Sequence, residues 1–111
     1  MKDKIFEYYC QRTACVYTVC GTIPSTLVSK VFKISLYKTR KYIKELVNEG
    51  LLVSNIEVFR DDYEYPPVII RGYCLTKKGL ETNVYKQISK KEIEKINTML
   101  KEMIEEEENE R

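Results

Sequence analysis

A chain of 111 residues, 43% of them hydrophobic and nine of them tyrosine, can close one small core. No apolar run approaches the ~18 residues that mark a membrane-spanning helix, and the opening MKDKIFEYY lacks the apolar stretch and cleavage site of a signal peptide. A cytoplasmic protein with no membrane partner is therefore expected. The formal net charge is only +2, but the charge is unevenly placed. From Lys30 to Lys44 there are six cations and no carboxylate, whereas residues 89–111 hold five cations and eight glutamates. A basic middle and an acidic end suit a polyanion-binding segment and a tail that stays off the polyanion.

Residues 3–18 read as a first helix, with Asp3 as N-cap and Ile5, Phe6, Tyr9, Cys10, Val16 and Tyr17 on one face. Gly21 punctuates the chain, and Thr22-Ile23 can form a short strand. Pro24 suits the first turn of a second helix running to about Phe32, with Ser25 or Thr26 satisfying free amides. Leu27, Val28, Val31 and Phe32 give that helix its packing stripe.

Lys33-Ile34-Ser35 is the turn. Ile34 is expected to plug the gap between the helices and Ser35 to cap the next one. That third helix runs from Leu36 to Glu49. Thr39, Ile43, Leu46 and Val47 fall on its buried face, and Tyr37, Lys38, Arg40, Lys41 and Lys44 lie on or beside the opposite one. Gly50 fits a left-handed C-cap.

Residues 51–59 and 68–75 read as two strands of an antiparallel hairpin, joined by the polar loop RDDYEYPP. A helix is expected to begin near Leu80. Ser89-Lys90-Lys91-Glu92 matches a capping box and predicts a separate last helix from about Lys90 to Glu108. On it, Ile93, Ile96, Leu100 and Met103 form an a/d seam, widened by Met99 and Ile104.

Four cysteines, Cys10, Cys15, Cys20 and Cys74, tempt towards disulfides or zinc. Thiols in a reducing compartment stay free and pack as small apolar residues. The absence of histidine excludes a Cys/His zinc site, and the spacing suits no four-cysteine site. No metal and no cofactor are expected. Thiol redox sensing stands as an alternative that oxidant and Cys→Ser changes would reveal. Without histidine, a glycine-rich phosphate loop or paired carboxylates on a core element, no enzyme is expected: Asp61, Asp62 and Glu64 sit on a loop, a poor place for preorganised catalysis.

The stretch ISLYKTRKYIKELVNEGLL, Ile34 to Leu52, resembles the third helix of winged helix-turn-helix regulators from bacteria, archaea and their mobile elements. The matching features are the apolar-Ser step Ile34-Ser35, Arg40 one turn in, and the Leu-x-x-x-Gly-Leu closure from Leu46 to Leu51. Leu75-Thr76-x-x-Gly79-Leu80 is similar to the step that leaves the wing in MarR- and PadR-like proteins. The resemblance covers about residues 5–82, leaving 83–111 as a helical extension.

The resemblance implies an α+β winged helix-turn-helix fold, mostly α with a small antiparallel hairpin, whose helix 35–49 enters the major groove of double-stranded DNA. Ser35, Tyr37 and Lys38 occupy its first turn. Arg40 suits a guanine edge or a phosphate, and Lys41, Lys44, Lys30 and Lys33 suit phosphates. The hairpin tip departs from the family pattern: Asp61, Asp62 and Glu64 face only Arg60, where narrow minor grooves attract cations. Arg71 is the other hairpin candidate. The terminal seam Ile93, Ile96, Met99, Leu100, Met103 implies a homodimer, as in PadR-like proteins, with packing on the first helix as its alternative. The expectation is a sequence-specific DNA-binding transcriptional regulator, acting as a dimer. The alternative is a winged-helix protein-interaction module. No ligand-pocket signature names a small-molecule effector.

Overall fold

The computed structural model describes residues 1–15, 21–59 and 66–109. Its elements are α1 (Lys2–Ala14), α2 (Ser25–Phe32), α3 (Leu36–Asn48), β1 (Leu52–Phe59), β2 (Val68–Leu75), α4 (Lys77–Leu80) and α5 (Asn83–Asn109). The fold is thus α+β: mostly helical, with one two-stranded antiparallel hairpin. Residues 60–65 of the expected hairpin loop, with Arg60 and the acidic tip, and residues 16–20 lie outside the described residues.

The core forms where the apolar faces of α1, α2 and α3 meet the base of the hairpin. Ile5, Tyr9, Cys10, Ile23, Val28, Ile43, Leu46 and Leu52 are all sealed from solvent to within 1%. Tyr8, Phe32 and Tyr42 close its edges, with Tyr8 edge-on to Phe32. A two-stranded hairpin is marginal by itself, and here it is held by a short third segment. Ile23 bridges to Tyr73: each backbone amide donates to the other's carbonyl, at 2.9 and 3.1 Å. The buried Tyr9 hydroxyl donates to the same Ile23 carbonyl at 2.9 Å, which ties α1 to this bridge. Asn55 donates to the Thr22 hydroxyl, which in turn donates to the Glu57 carboxylate.

The two motifs at Leu46–Leu51 and Leu75–Leu80 meet in space. The Thr76 hydroxyl donates to the Gly50 carbonyl, and the Thr76 amide donates to the Leu51 carbonyl. The Gly79 amide donates back to the Thr76 hydroxyl, and Lys78 Nζ donates to the Glu49 carbonyl. Thr76 therefore caps α4 and clamps the end of α3 to the end of β2. Gly50 has φ of 78°, the left-handed region in which a side chain is costly.

Several expected boundaries move. Met1, not Asp3, is the N-cap of α1, and the described helix ends at Ala14, with Cys15 extended. Pro24 is the N-cap of α2, and neither Ser25 nor Thr26 makes a side-chain cap bond. On α2 only Val28 is fully buried, while Leu27 and Val31 are exposed, because eight residues offer one narrow contact with α1 and α3. The largest correction concerns the C-terminal region. One 27-residue helix runs unbroken from Asn83 to Asn109, so Ser89 is an interior residue and not a cap. Val84, Tyr85 and Ile88 pack on the core and carry the helix through the Ser89 step. Local capping preference yields to this tertiary packing.

Candidate nucleic-acid interface

The candidate interface is the outer face of α3, and its geometry follows from the helix repeat. At 100° per residue, Thr39, Ile43 and Leu46 fall together and are buried, while Tyr37, Arg40, Lys41 and Lys44 fall on the opposite side. These four line one shallow surface depression. Tyr37 is 80% exposed, whereas Tyr42, about 140° further round the helix, packs against the core. Lys38 is exposed on the flank of this face.

The turn before α3 is closed locally. The Lys33 and Ile34 amides both donate to the Ser29 carbonyl, and the Ser29 hydroxyl donates to the Ile34 carbonyl at 2.7 Å. Lys33 takes a left-handed conformation, φ 54°, which the sequence reading did not foresee. The strain is tolerated because it lets the chain reverse within three residues. Ser35 Oγ accepts from the Lys38 amide at 3.2 Å, so Ser35 is the N-cap as expected. Its hydroxyl proton is left for an outside acceptor.

Lys30, at the end of α2, and Lys33, at the turn, are exposed beside α3. Among the described residues, none of Lys30, Lys33, Lys38, Arg40, Lys41 and Lys44 makes an ion pair. Six cations at one end of a helix pair, without internal carboxylate partners, give a local positive field. Arg60 lies outside the described residues.

A second feature was not read from the sequence. A cleft between the start of α2 and the hairpin is lined by Ser25, Thr26, Ser54, Asn55, Arg71 and Gly72. A Cβ on Gly72 would stand 2.5 Å from the Ile23 carbonyl, so glycine is what permits the 22–24 segment to approach β2. The sequence signal was that glycine inside a strand.

Cys10 and Cys74 are free thiols. Cys10 is fully buried, and burial pushes its pKa up to about 12. Burial also raises the Cys74 pKa, reinforced by the Glu57 charge. Among the described residues no group of His, Cys, Asp or Glu could hold a metal ion, and no helix is long and apolar enough to cross a membrane.

The seam residues Ile93, Met99, Leu100 and Met103 are all about half exposed on α5, and Ile96 is partly covered. No family model, no curated protein and no solved structure matches this chain.

Proposed function

We propose that this protein is a sequence-specific, double-stranded DNA-binding transcriptional regulator of winged helix-turn-helix type, acting as a homodimer in the cytoplasm. The observation that carries the reading is the unpaired cationic face of α3, set directly after a short helix and a tight turn. An α-helix fits the major groove, where residues of its first turns reach base edges. Tyr37, Lys38 and Arg40 are the base-reading candidates, with Arg40 forked onto a guanine. Lys41, Lys44, Lys30 and Lys33 meet phosphates, and the Ser35 hydroxyl donates to one. Arg71 supplies a cation at the hairpin, where the expected tip is acidic.

A second reading has its own observation. Ile56, Val58 and Ile69 share one face of the hairpin and are each about half exposed, and an exposed apolar patch suits a protein partner. In that reading the domain docks another protein and has no use for the α3 cations. Retention on heparin and on random duplex DNA at low salt separates the two. A regulator is retained and elutes as salt rises; free passage through both columns would sink the DNA-binding reading.

A further inference from the structure

The hairpin has one edge closed and one edge open. Ile23 and Tyr73 exchange both backbone bonds, so the Tyr73 amide and carbonyl point away from β1. Bonding direction alternates from residue to residue along a strand. Gly72 and Cys74 therefore point towards β1, and their register partners Asn55 and Val53 point back, as does Glu57. The Thr76 amide on the Leu51 carbonyl follows the same alternation. Ser54, Ile56 and Val58 are left with amides and carbonyls that face outward, and among the described residues no backbone bond beyond the hairpin engages them. Native proteins guard such an edge with lysine, proline or a bulge. β1 has neither lysine nor proline, its pairing with β2 is unbroken from Leu52 to Phe59, and Glu57 is its one charged residue. The outward-bonding residues also carry the apolar patch: Ile56 and Val58 share a face with Ile69, and all three are half-exposed.

We propose that the open edge of β1 pairs antiparallel with β1 of a second copy, joining two hairpins into one four-stranded sheet across a two-fold axis. This pairing rests on the homodimer reading above, gives it a surface other than the α5 seam, and assigns the hairpin's apolar patch to a second copy rather than to a different protein. Symmetry and bond direction leave few registers. Residues opposite each other must both face outward or both face inward, so the axis falls where a residue meets its own copy. Centred on Glu57, the pairing sets two carboxylates against each other. Centred on Asn55, it brings Val58 of the second copy to Leu52, which is sealed in the core. Centred on Ile56, it avoids both: Ile56 meets Ile56, Ser54 meets Val58, and each Glu57 lies opposite Asn55 of the other copy. Asn55 gives one amide proton to Thr22 and has a second to offer. Each outward-facing pair closes with two backbone bonds, and a four-stranded sheet holds its strands better than a lone hairpin does. So narrow an interface makes a weak dimer, populated as concentration rises.

Amide exchange and sedimentation equilibrium of the full chain test the pairing. As concentration rises, the Ser54, Ile56 and Val58 amides are expected to gain protection, while those of Val53, Asn55 and Glu57, already bonded to β2, exchange slowly throughout. Ile56→Lys and Ile56→Glu are each expected to weaken the dimer at least tenfold, because each sets a charge against its own copy. Mixed in equal amounts, the two are expected to form a one-to-one heterodimer with a constant within threefold of the parent. Leu100→Lys with Met103→Lys, on the α5 seam, is expected to leave the constant within threefold. Circular dichroism checks that each variant folds. A dimer that survives Ile56→Lys, or a mixture that stays monomeric, would overturn the edge pairing and leave the homodimer reading standing. A parent chain that is monomeric at every concentration would overturn both. Duplex binding is measured alongside: an edge dimer that ignores DNA supports the pairing and refutes the regulator reading alone.

Discussion

At the scale of single residues, the outer face of α3 divides into two chemistries. Arg40 presents a planar fork with several donors, able to meet a guanine edge at two points, whereas Lys44 presents a point charge. Arg40→Ala is expected to cost about 1–3 kcal/mol on cognate sequence and less on random DNA. Lys44→Ala is expected to weaken binding on all sequences alike. Equal losses from both changes, on cognate and random duplexes in a filter-binding assay, would argue against base readout by Arg40. Tyr37, 80% exposed on the same face, has no structural task inside the fold. An aromatic ring so placed is better explained by contact with another molecule than by core packing.

At the scale of elements, the hairpin stays attached because one loop residue is shared. The Ile23 carbonyl accepts from both the Tyr73 amide and the Tyr9 hydroxyl, so α1, the 22–24 segment and β2 meet at one oxygen. Gly72 leaves room for that meeting. Gly72→Ala puts a methyl group 2.5 Å from backbone that is already doubly bonded. The expected loss is about 2 kcal/mol in a urea titration, from overpacking. An unchanged midpoint would mean that the 22–24 segment yields freely, against the account of how the hairpin is held.

The elements also show what a sequence carries and what it does not. The pattern at Ser35, Thr39, Ile43, Leu46 and Gly50 placed α3 to within a residue, because an N-cap, a helical apolar stripe and a left-handed stop all agree there. β2 was placed at its observed limits because Pro67 and Thr76 bound a run of β-formers. The break assigned at Ser89 was wrong because a capping box is a local preference. It was overridden by Val84, Tyr85 and Ile88, whose burial depends on α1, eighty residues earlier in the chain. The left-handed Lys33 was invisible for a related reason: its conformation is imposed by bonds converging on the Ser29 carbonyl, not by its own side chain. The cleft beside Arg71 requires knowing where Ile23 lies. The α3 cations were legible because charge on an exposed face needs no long-range information.

At the scale of the whole molecule, the core contains groups that resist ionisation. Burial raises the Cys10 pKa from its ordinary 9.0 to about 12, helped by the charge on Glu7. Burial likewise raises that of Tyr9, next to the rings of Tyr73 and Tyr8. Both groups hold their protons to higher pH in the folded chain than in the unfolded one. Their contribution is therefore complete below about pH 9 and is lost as pH climbs towards 12. The loss approaches ~1.4 kcal/mol per pH unit for each group within that window. Urea midpoints are expected to be flat from pH 7 to 8.5 and to fall steeply above pH 9.5, less steeply for Cys10→Ala. A flat profile to pH 11 would contradict the sealed core.

The molecule as a whole measures 57 × 42 × 28 Å, with α5 alone about 40 Å long. Its net charge is close to neutral, so any attraction to DNA must come from how charge is placed. The measurement that tests this most directly is the dependence of duplex affinity on salt, for the parent chain and for Arg40→Ala, Lys41→Ala and Lys44→Ala. If about six cations at α2, the turn and α3 displace counterions, log affinity falls against log salt with a slope near −5 per bound copy. Each substitution is expected to make that slope shallower by about one. A slope near zero, or one that none of the three substitutions changes, would show that α3 is not the surface that meets DNA.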